Sequence, residues 1–261
     1  MMNEVRNIAA VGLSVLILAG CSEQIKPTRP APSKPAPSKP VAAKPVAAKP
    51  AERPAEPVAN AVAGNIAYGR VLALPFTDDL ANTVPSSLSI RPAGRPSIVD
   101  AGKFGSGCRL EKGATLRVPT LPMTAEGTWG LWIRPDAKQA ASHARIMDAN
   151  AYGVFLNGSK ISIAYNDGKS VGLPGPEVPS EEWTHLAMTW GDGALKLYVN
   201  GELHGQRVIK GAPRFPKRRL FIGSRWTGST MTFTGVIDDV VIYTRAIEAE
   251  EVKYLVAQGL K

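Results

Sequence analysis

The sequence has few of the residues from which metal centres are built. Its 261 residues include three histidines and only two cysteines, Cys21 and Cys108, which lie 87 positions apart. A zinc ribbon or an iron–sulfur site needs several such ligands at close spacing. Both kinds of site are therefore excluded, and so is a small scaffold held together by disulfides.

Aromatic residues make up only 7% of the chain and charged residues 20%, whereas 44% is hydrophobic. This hydrophobic content is enough for a buried core, so a chain that is disordered throughout is excluded. The net charge of +9 arises from 31 Lys and Arg against 22 Asp and Glu, and residues 59–261 carry 23 and 18 of these.

An uncharged run, residues 8–20, follows Arg6 near the start of the chain. It is too short to cross a bilayer core, which takes about 20 residues, but it suits the apolar segment of a secretory signal. The run ends in Leu18-Ala19-Gly20-Cys21, which resembles the lipobox of bacterial lipoproteins. The resemblance implies cleavage before Cys21, lipidation of its sulfur and anchoring in a membrane. Ser22, where Asp would favour the inner membrane, implies the outer membrane. An uncleaved anchor with an incidental cysteine is the alternative.

Residues 26–57 are dense in proline, with two copies of Ala-Pro-Ser-Lys-Pro followed by two of Val-Ala-Ala-Lys-Pro. Proline removes amide donors and fixes φ, so the segment favours an extended polyproline II conformation with a reach on the order of 100 Å. We therefore predict a signal over 1–20, a lipidated Cys21 with a spacer over 21–63, and a domain over 64–261. The lysines of the spacer serve solubility or, alternatively, contact anionic headgroups or cell-wall carboxylates.

The domain shows the alternation of β-strands. Residues 160–165 alternate between polar and apolar, and residues 194–199 do the same before the hairpin signal Asn200-Gly201. Many short segments of this kind without helical periodicity predict antiparallel sheets packed face to face. The further predicted strands are Tyr68–Leu74, Ala114–Val118, Thr128–Arg134, Ala144–Asp148, Tyr152–Leu156, Trp183–Trp190, Glu202–Val208, Leu220–Gly223, Met231–Thr234 and Val236–Tyr243.

One helix is predicted near the end of the chain, over Ile247–Gln258. Val252, Leu255 and Val256 form an apolar stripe, three glutamates lie at the positive end of the helix dipole, and Gly259 can end the helix.

Several motifs of the domain then become specific. They are GKFGSG at 102–107, WGLWIRP at 129–135, EWTHLAMTW at 182–190, LKLYVNG at 195–201 and GVIDDVVIYTRAI at 235–247. Together they resemble the laminin-G-like, concanavalin A-like jelly-roll superfamily. The resemblance implies an all-β, two-sheet antiparallel jelly-roll sandwich with one short C-terminal helix, and it recommends a shape more than an activity.

Some jelly-roll families cleave glycans, but the sequence lacks their chemistry. The Glu-x-Asp-x-x-Glu pattern of the family's glucanases does not occur, and neither does a Gly-x-Ser-x-Gly elbow. Glu181 and Glu182 lie at a strand entrance, and the neighbours Asp238 and Asp239 are expected to point to opposite faces of a strand. His185 lies within a strand, where packing is favoured over catalysis. The sequence therefore predicts a protein that is not an enzyme.

Asp238 and Asp239 interrupt an apolar strand, so at least one of the two carboxylates is expected to be buried and partnered. Its partner is a group of backbone amides, an arginine such as Arg245, or a metal ion. Some jelly-roll relatives hold a structural calcium with a late-strand Asp and an early segment, which Asp78 and Asp79 would provide here. Ca²⁺ at Asp238, Asp78 and Asp79 is thus one hypothesis, and hydrogen bonding is the other.

Two turns are candidates for ligand contact, because loops at the edge of a sandwich often carry recognition. Arg225 and Trp226 would form a stacking and hydrogen-bonding pair for a sugar, and Tyr165, Asn166 and Asp167 flank a second turn. A structural role is the alternative for each. The other tryptophans lie inside strand motifs and are expected in the core.

A basic run, residues 214–219, is either a solvated loop or a patch for acidic glycans or phosphates. Cys108 is expected to be a buried thiol, and no disulfide is expected because Cys21 is lipidated. We therefore predict a cell-envelope lipoprotein that presents a non-catalytic module for a glycan or cell-wall ligand, with no nucleic acid as partner. A structural or protein-interaction role is the alternative, and a glycan-acting enzyme is less favoured.

Overall fold

The computed structural model describes residue 62 and residues 64–122, 124–214, 219–225 and 230–260. The signal, Cys21, the proline-rich spacer, Trp226 and most of the basic run lie outside the described residues. The chain divides into two units, Met1–Pro50 and Ala51–Lys261, and every described residue belongs to the second. In that described part, no helix is long and apolar enough to cross a membrane.

The described residues form fifteen strands and a C-terminal helix, α1. The bounds are β1 (Arg70–Leu74), β2 (Arg91–Ala93), β3 (Ser97–Val99), β4 (Gly107–Leu110), β5 (Thr115–Val118), β6 (Gly127–Pro135), β7 (His143–Ala149), β8 (Tyr152–Asn157), β9 (Lys160–Asn166), β10 (Ser170–Glu177), β11 (Thr184–Gly191), β12 (Ala194–Val199), β13 (Glu202–Val208), β14 (Leu220–Ile222), β15 (Gly235–Tyr243) and α1 (Ala249–Gln258).

The strands form two sheets. The eight-stranded sheet has the order β13-β12-β11-β6-β15-β4-β3, with β1 paired to β15, and the seven-stranded sheet has the order β10-β9-β8-β7-β14-β5-β2. Every pairing between these strands is antiparallel. The predicted jelly-roll sandwich with one short terminal helix is confirmed.

The main core lies between the two sheets, because alternate residues of each strand point inward. In β9 the buried residues are Ile161, Ile163 and Tyr165, the set that the sequence alternation predicts. In β12, Leu195 and Leu197 enter the same core. Alternate positions of the same strands remain for the outer faces of the sandwich.

The last strand, β15, departs from the alternation that the sequence predicts. Between Asp238 and Val241 its pairing with β6 shifts by one residue, and Asp239 adopts a φ of 48°. This is a β-bulge, which inserts one extra residue into the strand. Ile237 and Val240 consequently both face the core, whereas uninterrupted alternation would place Val240 on the same face as Asp238.

Helix α1 packs on the outer face of the eight-stranded sheet, where Val252 and Leu255 contact a cluster that includes Tyr198 and Tyr243. Its first turn is held by Glu251. The Oε2 of Glu251 accepts a hydrogen bond from the Glu248 amide at 2.9 Å, and the Arg245 guanidinium donates to both carboxylate oxygens at 2.5 and 2.7 Å. The predicted helix is confirmed, although it begins two residues later.

The prediction of a strand over Met231–Thr234 is wrong. This segment makes one isolated bridge, between Arg145 and Thr232, because it crosses from the end of the short β14 to β15 rather than pairing along a neighbour. Its apolar residue Phe233 is nevertheless fully buried, so the alternation there reflects burial without strand pairing.

Candidate functional site

The outer face of the seven-stranded sheet carries arginine and phenylalanine side chains. In β5, Leu116 and Val118 enter the core, so Arg117 between them points outward. In β14, Leu220 and Ile222 enter the core, so Phe221 points outward. The outward positions of these two central strands therefore place a cation beside an aromatic ring.

Strand register extends this pair into a row across the sheet. Arg117 is opposite Arg91 of β2 on one side and Phe221 on the other, and Phe221 is in turn opposite Asp148 of β7. Neighbouring strands are about 4.8 Å apart, so Arg91, Arg117 and Phe221 occupy about 10 Å of the face.

A surface cleft of about 450 Å³ lies over this row. Arg91, Arg117, Arg219 and Phe221 line it, together with the segment 118–120. Arg91 and Arg219 are exposed, whereas Arg117 and Phe221 are half-buried. We call these four residues the arginine cleft.

Next to the arginine cleft lies a charged cluster that is already paired. Arg145 has only 7% of its surface exposed, lies 4.2 Å above the ring of Phe155 and contacts Asp148 at 3.5 Å. Burial lowers the pKa of Arg145 and raises the pKa of Asp148, while the Ala151 amide and Arg145 both act against the rise at Asp148. Asp148 also interacts with Arg225, so its charge is compensated within this cluster.

Arg225, a predicted ligand contact, is thus placed at this cluster. Its amide donates to the Thr230 carbonyl at 3.1 Å and its guanidinium reaches the sulfur of Met231 at 3.8 Å. Trp226, the predicted stacking partner, lies outside the described residues, so the predicted pair remains a prediction.

The second predicted turn has structural contacts instead. Tyr165 is fully buried, and its hydroxyl donates to the Gly211 carbonyl at 2.9 Å. The side chain of Asn166 accepts from the Gly168 amide, which closes the turn. Asp167 accepts from the Lys210 amide, a bond that lowers its pKa. All three residues thus make contacts within the fold, and the ring of Tyr165 is fully buried. Ligand contact by Asn166 and Asp167 remains a prediction.

The buried aspartates of β15 bind backbone amides. Asp238 Oδ2 accepts from the amides of Lys103 and Phe104 at 2.9 and 3.0 Å, and its Oδ1 accepts from the Asp239 amide at 2.8 Å. Asp239 Oδ2 accepts from the Leu260 amide at 2.9 Å. Amides are thus the partners described for both residues, while Arg245 pairs with Glu251.

The predicted calcium residues do not show a donor set that fits the ion. Asp78 and Asp79 are exposed in the loop after β1, where Asp79 accepts from the Ala81 amide at 2.8 Å. Among the residues that the structure describes, no three His, Cys, Asp or Glu side chains form a group that could hold a metal. Both oxygens of Asp238 already accept backbone hydrogen bonds. The calcium site remains an untested prediction.

His185 and Cys108 have the character of buried residues. His185 is 2% exposed with its ring 5.2 Å from that of Trp132, and burial lowers its pKa to about 3. Cys108 is a fully buried thiol, as predicted, and burial with the nearby Asp238 raises its pKa to about 12. Neither group has the pKa of a base or nucleophile at neutral pH.

Two further clefts open where the β6–β7 connection meets neighbouring loops, and some of their polar groups bind one another. Arg109 donates to both oxygens of Asp136 at 2.6 and 2.9 Å. Gln139 exchanges hydrogen bonds with the backbone of Thr234 at 2.7 and 3.0 Å. These contacts join loops, so the arginine cleft is the better candidate for a ligand.

Sequence reasoning missed most of the arginine cleft. Arg219 lies in the predicted basic run, but Arg91, Arg117 and Phe221 were not singled out. A signal exists for two of them, because Arg117 and Phe221 each lie between two core residues of a short strand. The convergence of Arg91 with them depends on the register of β2, which the sequence pattern does not reveal.

The family model of the concanavalin A-like lectin/glucanase superfamily, Laminin_G_3, matches residues 110–253. The match covers more than half of the chain, so the chain belongs to this family. No curated protein is similar enough in sequence to be reported beside it.

Three solved structures illustrate the likeness in fold. Domain 4 of AbnA, a GH43 extracellular arabinanase from Geobacillus stearothermophilus, in complex with arabinotriose, has 19% identity and a TM-score of 0.57 over 72% of this chain and 98% of that one. The binding domain of Paraclostridial Mosquitocidal Protein 1 has 16% identity and a TM-score of 0.61, over 73% and 52%.

A structure of botulinum neurotoxin type C, whose cell entry depends on interaction with two ganglioside molecules, has 14% identity and a TM-score of 0.60, over 76% and 53%. The chain thus spans about half the length of the two toxin chains. At these identities the likeness shows the fold alone.

Proposed function

We propose that this protein is a cell-envelope lipoprotein that presents a non-catalytic carbohydrate-binding module, and that the arginine cleft is its binding site. The observation that carries the proposal is the placement of Phe221 beside Arg117 on an open sheet face. A half-buried ring offers an apolar surface to the C–H face of a sugar, and adjacent guanidinium groups donate hydrogen bonds to its oxygens. The arabinotriose and ganglioside ligands named for structures of the same fold support a saccharide ligand.

The non-catalytic part of the proposal is supported by how the buried carboxylates are used. Asp148, Asp167, Asp238, Asp239 and Glu251 each accept hydrogen bonds from backbone amides. Glycoside hydrolysis instead needs two carboxyl groups held on either side of a scissile bond. The structure of Paraclostridial Mosquitocidal Protein 1 that this chain resembles is a binding domain.

The test is binding of the purified full-length chain to a panel of oligosaccharides and cell-wall polysaccharides. Phe221→Ala is expected to weaken binding of any retained glycan about tenfold, because truncation removes the apolar platform. Leu203→Ala is the matched control, since Leu203 is an exposed apolar residue of β13 in the other sheet. Equal weakening by both variants, or a panel without a bound member, would contradict the proposal. Turnover of a panel member would contradict its non-catalytic part.

The lipoprotein part rests on residues 8–22 and has its own test. In cells fed a fatty-acid probe, the wild-type protein and Cys108→Ala are expected to be labelled, whereas Cys21→Ala is not. Cys108→Ala controls for the loss of a thiol as such, because Cys108 is buried. Equal labelling of all three proteins would end the lipoprotein proposal and leave the binding module untouched.

A further inference from the structure

The arginines of the arginine cleft repel one another and have no acidic partners among the residues that the structure describes. Arg91 lies directly opposite Arg117, and like charges in that position destabilise a sheet. No salt bridge within the described part of the chain involves Arg91, Arg117 or Arg219. The repulsion between these arginines therefore destabilises the fold without a described ion pair to offset it.

The side chain of Arg117 has an unsatisfied buried donor, a feature that it shares with other arginines, among them Arg70 and Arg145. The Nε of Arg117 is buried and has no hydrogen-bond partner in the structure. An unpaired donor of a charged group is costly, and an arginine normally satisfies its donors with a carboxylate or a phosphate. Phe221 and Arg91 are the cross-strand neighbours of Arg117, so a second arginine lies opposite Arg117 on the same face for an anion bound there.

The only acidic side chain in this cross-strand row is Asp148, and it does not repel an anionic ligand. Asp148 is fully buried, and it is paired with Arg145 at 3.5 Å. The cleft side of Phe221 is therefore cationic, and the Asp148 side is close to neutral.

We infer that the arginine cleft binds a polysaccharide that carries repeated anionic groups, either carboxylates or phosphates. This inference rests on the proposed function and names the chemical class of its ligand. Arg91, Arg117 and Arg219 bind the anionic groups, and Phe221 packs on the sugar ring between them. Repetition of the charge along the polymer matches cations placed on β2, on β5 and just before β14.

The test uses the full-length chain and two acidic polymers, polygalacturonate and a phosphomannan, each beside its neutral counterpart, the methyl ester or the dephosphorylated mannan. At least one acidic form is expected to bind ten times more tightly than its neutral form, and the difference should shrink at high salt. The two polymer pairs distinguish a carboxylate from a phosphate ligand.

Arg117→Gln is expected to reduce binding of the acidic polymer about tenfold, because hydrogen bonds to charged groups are among the stronger ones. Arg207→Gln is the matched control, because Arg207 is an exposed arginine of β13 in the other sheet. Circular dichroism verifies that both variants are folded.

Several outcomes would overturn the inference, and they differ from a failure of the proposed function. Binding of neutral glycans without preference for an acidic form removes the inference and leaves the carbohydrate-binding module standing. If poly-L-glutamate binds as tightly as the acidic polysaccharides, the cleft does not recognise a saccharide, and both proposals fail. Equal effects of Arg117→Gln and Arg207→Gln show that net charge, not the cleft, attracts the polymer.

Discussion

The two sheets of the sandwich have outer faces of opposite character. On the eight-stranded sheet, Trp132, His185, Tyr198 and Tyr243 are at most 4% exposed. On the seven-stranded sheet, Phe221 is only half-buried and arginines line an open cleft. Both faces are made by the outward residues of alternating strands, so alternation alone does not decide which of them is free to bind a ligand.

The difference lies in what covers each face. Tyr198 and Tyr243 pack beneath α1, and the ring of Trp132 contacts Phe104 and the ammonium of Lys103, both from the 100–106 loop. Glu251 holds the start of α1, and Asp238 holds this loop. Buried carboxylates therefore hold α1 and the 100–106 loop over the outer face of the eight-stranded sheet. The outer face of the seven-stranded sheet leaves its arginines accessible.

The largest effect is expected from weakening the attachment of α1 to the eight-stranded sheet. Glu251→Ala leaves the Arg245 guanidinium and the Glu248 amide without their acceptor, and breaking a buried pair costs about 3 kcal/mol. The free energy of unfolding, measured by urea titration, should fall by that amount. Glu250→Ala is the control, because Glu250 pairs with Lys253 at an exposed position and should contribute less than about 0.5 kcal/mol. Equal losses would show that Glu251 does not hold the cover.

The fold could be predicted where strands are central and regular. Strands β9, β11 and β12 were found within one or two residues because their alternation is uninterrupted. Strands β2, β3, β4 and β10 were missed. Strands β3 and β4 are only three and four residues long, and β2 and β10 lie at the edges of the seven-stranded sheet and contain proline. Proline is tolerated at an edge because a donor is not needed there, so the sequence of an edge strand resembles that of a loop.

The candidate site was less predictable for a related reason. Tyr165 and Arg117 both lie in strands, and only the side of the sheet on which each residue falls separates core from surface. In β15 the bulge at Asp239 reverses that assignment for the residues that follow. A bulge or a register is set by contacts with neighbouring strands. The residue pattern of one strand contains no information about those contacts.

A second prediction concerns how stability depends on pH through His185, on the covered outer face of the eight-stranded sheet. The pKa of His185 is about 3 in the folded protein and 6.5 when unfolded, so between these values only the unfolded chain binds the proton. Stability is therefore unaffected above pH 6.5 and falls as the pH drops below it, by about 3 kcal/mol at pH 4.5. Urea titrations at pH 7 and 4.5 measure this loss.

His185→Gln removes the titrating group and should flatten this dependence, whatever its effect at pH 7. His204→Gln serves as the control, because His204 lies exposed on β13. If His185→Gln retained the full acid sensitivity of the wild type, the face around Trp132 would not exclude a charged imidazole, and the contrast between the two faces would be weaker.

The smallest effect is expected on the open face. Arg91→Thr removes the like charge opposite Arg117 and introduces a good strand former, so the free energy of unfolding should rise by about 0.5 kcal/mol at low salt. High salt should reduce this gain, because it screens repulsion between exposed charges. Arg207→Thr makes the same substitution opposite Leu195 and should show no gain that salt removes. A loss of stability in Arg91→Thr at low salt would mean that the arginines support the fold, and their charge would then be no argument for a ligand.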